Sequence, residues 1–212
     1  IPSGHSTLWR NKKGSRGNMI LDLCGGTGAW SKPYREAGYN VQVVSLPQTD
    51  TRLWPSPSSH TARLPSDFDD IADFRGRVRG ILAAPPCTVF SGSGARWPRT
   101  DDELHEGLSV VDACLRIIWA VQPIWWALEN PVGKLRKWIG PPRMTFNPCD
   151  YGDPYTKRTH LWGEFQPPAE APVEPAEGSR LWRNYGGKSE RTKRERSITP
   201  PGFAQAFFKA SR

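Results

Sequence analysis

The 212-residue sequence predicts an α/β domain of the Rossmann-like kind, a mostly parallel sheet with helices on both faces. Three observations carry that prediction. Apolar, strand-like runs alternate with helical stretches from Met19 onward. The first strand ends in a glycine-rich turn, "DLCGGTGAW", and two later strands end in the short motifs "PPC" and "ENP". Ends of this kind are where open sheets bind their ligands.

Taken in order, residues 1–18 are polar, basic and aperiodic, so they are expected to form an extension ahead of the domain and are a candidate for disorder. "MILDL" (19–23) reads as the first strand, "AWSKPYREAG" (29–38) as a helix and "VQVVSL" (41–46) as the second strand. A Pro/Ser loop leads to a short "DFDDIADF" (67–74) and then to the strand "VRGILAA" (78–84). Residues 101–122 open on Asp101, Asp102 and Glu103 and repeat apolar residues at Leu104, Leu108, Val111, Leu115 and Ile118, the spacing of an amphipathic helix with a favourable N-terminus. "IWWALEN" (124–130) is the next strand, ended by Pro131, and "MTFNP" and "THLWG" are strand-like pieces beyond it. The expected organisation is a catalytic domain over 19–165, a linker and basic segment over 166–196, and a closing helix over 197–212 that packs back on the domain.

A net charge of +8 and a pI near 9.6 favour an anionic partner, with nucleic acid the leading candidate. Cysteines stand singly at 24, 87, 114 and 149, which gives no zinc-binding pair and no disulfide framework, so neither a metal nor an oxidising compartment is expected. The sequence has neither an apolar run of about 18 residues nor a charged-then-apolar leader. A cytoplasmic monomer without membrane contact is the expectation.

The glycine turn at Asp22, Leu23, Gly25, Gly26, Thr27 and Gly28 lets a ligand approach the backbone. A dinucleotide fingerprint needs a third glycine where Ser31 stands, and "GGKS" (186–189) lacks the leading glycine of a phosphate loop, having Trp182 there. A nucleoside without polyphosphate remains, and S-adenosylmethionine is the common one. Asp70 is placed to accept from an adenine amino group. The second strand ends without the carboxylate that usually holds a ribose, so Ser45 or Asp50 would have to serve.

Pro85 and Pro86 stiffen the exit of a buried strand and fix where Cys87 leaves it, so this cysteine sits at the ligand cleft with a glycine-serine loop behind it. Cys24 and Cys114 are assigned the commoner fate of a free cysteine, burial in the core. Glu129 and Asn130 close the neighbouring strand, and a carboxyl buried there is raised toward the range useful for donating a proton. Cys87 with Glu129 then makes a nucleophile and acid pair. Arg158 with Lys157, and the run containing Lys188, Arg191, Lys193 and Arg194, offer phosphate contacts. Ser91 and Arg96 lie in the loop behind Cys87 and are nucleic-acid candidates too.

Together these motifs resemble those of the DNA cytosine-C5 methyltransferases, most of all their compact phage-type members. The resemblance covers 19–212: "DLCGGTGAW" is like the cofactor motif, "PPCTVFS" the nucleophile loop, "ENP" the Glu-Asn motif, "TKRT" the arginine motif and "RSITPPGFAQAFF" the final motif beside the cofactor. It implies a methyltransferase version of the Rossmann-like fold and S-adenosylmethionine as donor, with S-adenosylhomocysteine as product. Pro85, Ser197 and Thr199 join the cofactor contacts on the same ground. The implied chemistry is addition of Cys87 to C6 of a flipped-out cytosine while Glu129 engages N3, Asn130 holds the loop, and Arg158 contacts the base or Glu129. Two departures stand out. The missing ribose carboxylate leaves room for a modified sulfonium donor, whose extra carboxylate could meet Arg196 and Ser197. Only about 35 residues separate Arg158 from the final motif, so short or relaxed sequence recognition is expected. The alternatives are cytosine modification in tRNA and a non-catalytic DNA-binding protein on the same scaffold; a nicotinamide oxidoreductase has the sheet but lacks the third glycine.

Overall fold

The computed structural model describes residues 17–45, 50–53, 71–91, 98–179 and 190–212. Six strands form one sheet in the order β2-β1-β3-β4-β6-β5, where β1 is Met19–Leu23, β2 Asn40–Val44, β3 Val78–Ala83, β4 Trp125–Pro131, β5 Met144–Phe146 and β6 Thr159–Glu164. The first four run parallel, while β6 is antiparallel to both β4 and β5. The expected Rossmann-like α/β architecture is present, with a two-strand antiparallel edge added to its parallel half.

Covering both faces is what makes the central strands mostly apolar, as in β1, whose five residues are all buried, Asp22 among them. Strand alternation divides the core accordingly. Leu21, Leu23, Ile81, Ala83 and Leu128 face helix α2 (Asp101–Val121), where Val111, Cys114, Ile117, Ile118 and Val121 meet them. Ile20, Leu82, Trp125 and Ala127 face the other way, toward α1 (Lys32–Glu36) and the closing helix α5 (Pro201–Ser211), which contributes Phe203 and Phe207. Leu104, Leu108 and Leu115 of α2 are only partly buried against the first cluster, so its most deeply buried stripe is shifted from the predicted one.

The start of α2 follows its sequence closely. The Thr100 hydroxyl accepts from the Glu103 backbone N–H at 3.1 Å, and the Glu103 carboxylate accepts from the Thr100 N–H at 3.0 Å, closing a capping box. The basic run contains a helix of its own, α4 (Glu190–Ser197). A short helix, α3 (Arg136–Ile139), lies between β4 and β5. Residues 166–179, read as a linker, are fastened rather than free: Ala171 and Val173 donate to the carbonyls of Asp150 and Cys149, and Glu177 donates to Pro154. Among the described residues no helix is long and apolar enough to cross a membrane, and no group of three or more metal-ligating side chains occurs.

Candidate active site

A cleft opens at the carboxyl ends of β1, β3 and β4. From β1 come Asp22, Cys24, Gly25, Gly26 and Trp30; from β3 the exit residues Ala84, Pro85, Pro86 and Cys87; from β4 Glu129 and Pro131. Lys157, ahead of β6, Arg196 and Ser197 at the end of α4, and Thr199 between α4 and α5 close the remaining side. Parallel strands put this cluster together because adjacent strands end on the same edge of the sheet.

On the β1 side, Asp22 is fully buried. One carboxylate oxygen accepts from the Ser31 hydroxyl, and the other has no partner among the described residues. Burial pushes this carboxyl up to about 6, against the pull of Ser31 and the Arg35 cation. Gly25 has to be glycine here, since a Cβ would fall 2.3 Å from the Asp22 carboxylate. Gly26 follows with φ +54 and open space where a side chain would stand, and its N–H donates to the Ser45 hydroxyl at 3.2 Å. Trp30 packs edge-on against Phe207 at 5.5 Å while its buried indole Nε1 has no partner among the described residues.

Cys87 and Glu129 are half-buried on adjoining strand exits. Burial and then the neighbouring Glu129 charge push the Cys87 thiol up, while Lys157 and Arg196 pull it down. Burial likewise raises the Glu129 carboxyl, and Lys157 again opposes it. The cleft therefore holds a neutralisable acid and a thiol that share one cation. Asn130, 1% exposed, donates from its side-chain amide to the Pro85 carbonyl at 3.0 Å and so ties the Cys87 exit to β4. The Cys87 carbonyl in turn accepts from the N–H groups of Phe90 and Ser91 at 3.0 and 2.8 Å, and Ser91 pairs with Gly133.

The structure brings together Asp22, Gly25, Gly26, Pro85, Cys87, Glu129, Lys157, Ser197 and Thr199 from the residues singled out in the sequence. Others lie apart. The Leu23 side chain is in the core and its carbonyl accepts from the Ala84 N–H, and Thr27 and Gly28 do not line the cleft. Ser45 supports Gly26 from below, whereas Asp50 is engaged with the Arg52 guanidinium, which holds its carboxyl below the usual range. Arg158 is exposed and does not line the cleft; its neighbour Lys157 does. Arg191 and Arg194 are exposed on α4, which also carries Lys193 in its backbone. Asp70, Arg96 and Lys188 lie outside the described residues, as does most of the loop behind Cys87. Cys114 is core, as expected, but Cys24 borders the cleft with φ 56, its sulfur 3.3 Å from the Thr51 hydroxyl and 4.0 Å from the Cys114 sulfur. Trp30 was missed in the sequence, although an aromatic directly after a glycine turn is a visible signal for a side chain folded back over it.

No family model matches the chain, and no curated protein matches it. Among solved structures, it is similar to one from E. coli described as a candidate DNA modification methyltransferase encoded within a prophage, at 17% identity and a TM-score of 0.42. The match covers 75% of this chain and 54% of that one, so the chain spans about half the length of that structure.

Proposed function

We propose that the chain is an S-adenosylmethionine-dependent methyltransferase acting on C5 of cytosine in DNA. The observation that carries the reading is the meeting of Cys87, Glu129 and Lys157 in one cleft with the glycine turn after β1. The residues present suit a nucleoside-type donor. Gly25 and Gly26 leave the turn without side chains, and Asp22 and Trp30 each bring a buried polar atom that no group among the described residues satisfies. Asp22, Gly25, Gly26, Trp30, Ser197 and Thr199 would hold the donor. When bound, S-adenosylmethionine supplies an electrophilic methyl group and leaves as S-adenosylhomocysteine.

Cytosine C5 is a poor nucleophile until the ring is opened to addition. Cys87, as thiolate, forms a bond to C6 while Glu129, as neutral acid, delivers its proton to N3, so that the electron pair displaced from the ring double bond is available at C5. After C5 is alkylated, its proton passes to a base, the C5–C6 double bond re-forms, the Cys87–C6 bond breaks, and N3 returns its proton to Glu129. Lys157 tunes both groups: it lowers the energy of the thiolate and of the Glu129 carboxylate left after proton donation. Asn130 keeps the Cys87 exit in register with β4 throughout. The target base has to leave the stack to reach Cys87 at the strand ends.

Incubating the protein with S-adenosylmethionine and unmethylated DNA, then digesting to nucleosides for mass spectrometry, tests the reading, with Cys87→Ala alongside. 5-Methyldeoxycytidine formed only by the intact protein supports it. Modified cytidine in tRNA but not in DNA would move the substrate, and no modification in either would leave a binding protein. Arg196, facing the cleft within electrostatic reach of Cys87, favours a second reading in which the sulfonium donor carries an extra carboxylate. The same digest distinguishes it by a heavier deoxycytidine product with that donor.

A further inference from the structure

Just beyond the cleft, residues 130–149 contain Lys134, Arg136, Lys137 and Arg143 and not one carboxylate. All four cations are exposed, three of them on or directly beside α3. Leu135, 1% exposed, and Ile139 stand four residues apart and pack on the α2-side core, so the α3 residues between them, Arg136, Lys137 and Trp138, face solvent, with Trp138 53% exposed. Lys134 is exposed beside them. The segment is fixed to the catalytic loop: the Lys134 N–H donates to the Phe90 carbonyl at 2.7 Å, Gly133 pairs with Ser91, and Val132 donates to the Arg158 carbonyl at 3.0 Å. Arg158 is exposed at its rim, and burial together with the Arg136 and Arg158 charges holds the His160 imidazole below its ordinary value, which sets both guanidinium groups near His160. None of Lys134, Arg136, Lys137 and Arg158 forms an ion pair among the described residues.

We infer that α3 and its flanks form a DNA-backbone platform, with Lys134, Arg136, Lys137 and Arg158 contacting phosphates beside the flipped base and Trp138 packing on a base or sugar. This rests on the DNA methyltransferase reading and supplies it with a duplex-facing surface close to Cys87. Unpaired cations carried on a rigid element beside a cleft complement a polyanion, and an exposed indole among them offers a stacking face. Such contacts position the duplex without reading its sequence, in keeping with the short segment available for recognition.

The test measures binding of an unmethylated duplex by fluorescence anisotropy over a series of salt concentrations, for the full chain and for the variant Lys134→Gln/Arg136→Gln/Lys137→Gln. Each lost phosphate contact reduces the salt slope by about 0.9, so the triple variant should lose roughly 2.7 and bind more weakly, with its thermal melt unchanged. Arg75→Gln/Arg77→Gln, ahead of the amino end of β3 and away from the carboxyl-end cleft, should keep the wild-type slope. Duplex addition should change the emission of the wild type more than that of Trp138→Phe. Equal slopes for the wild type and the triple variant overturn the platform, as do equal losses in the control pair or tighter competition by tRNA than by duplex. Methylation of DNA by a triple variant whose slope is unchanged would sink the platform and leave the function standing. A slope loss without any cytosine modification would keep the platform and sink the methyltransferase reading.

Discussion

Asp22→Asn should make the protein more stable while removing its ability to bind a nucleoside donor. A carboxyl raised from 3.8 to about 6 by burial is favoured in its protonated form by the folded state, so the fold binds more protons than the unfolded chain between those two values. Stability is therefore fully present below pH 3.8 and is lost as pH rises through about 6. At 1.36 kcal/mol per pKa unit the loss amounts to about 3 kcal/mol by pH 8, and about half of it has developed at pH 5. Asparagine has nearly the same shape, cannot ionise, and can still accept from Ser31, so the variant escapes that loss. At about 2–4 °C per kcal/mol for a chain of this size, its melting temperature at pH 8 should exceed the wild type's by roughly 6–12 °C. The assay is thermal or urea unfolding of both proteins at pH 5 and pH 8, with calorimetric titration of the donor. A stability difference that does not grow with pH would refute the reasoning, since it would place the Asp22 carboxylate in contact with water or an unseen partner.

Three further outcomes follow from the same geometry. Lys157→Met removes the cation that pulls both Cys87 and Glu129 down, so the pH midpoint for alkylation of Cys87, followed by peptide mass spectrometry, should move upward, whereas Arg158→Ser should leave it in place. Asn130→Ala strands the Pro85 carbonyl in the interior and should cost about 1–3 kcal/mol, read as a lowered urea midpoint, with activity falling further than stability explains. Gly25→Ala drives a Cβ against the Asp22 carboxylate 2.3 Å away, and either the turn or Asp22 must move; loss of donor binding in a chain that still melts cooperatively is the expected result.

The strand and helix order was readable because each element declares itself locally: β1 is apolar at every position but Asp22, α2 carries its cap and its period, and both prolines mark the end of β3. The cleft was readable for a related reason, since parallel strands deliver their ends to a common edge, and that brings Cys87 and Glu129 together from motifs about 40 residues apart. Pairwise contacts between distant segments were not readable. Nothing local in Cys24 tells that its sulfur approaches both Thr51 and Cys114, and nothing in "APVEPAEG" tells that its backbone is strapped to the turn at 148–156. Those facts depend on tertiary placement, which composition and periodicity do not encode.

The exchange of Lys157 for Arg158 in the cleft shows where the boundary lies. Two adjacent cations precede β6, and strand alternation sends neighbouring side chains to opposite faces, so only one of them can share a face with Glu129. The register decides which. Glu129 pairs with Leu161 and Asn130 with His160. Counting back by twos, Leu161, Thr159 and Lys157 keep the face of Glu129, while His160 and Arg158 keep that of Asn130, on the side where the segment after β4 packs. A slip of one residue would put Arg158 beside Glu129 and Lys157 among the outward cations. The sequence presents a cation at this place; the antiparallel pairing of β4 with β6 makes it a lysine, and leaves the arginine on the side of the sheet that the DNA-backbone platform uses.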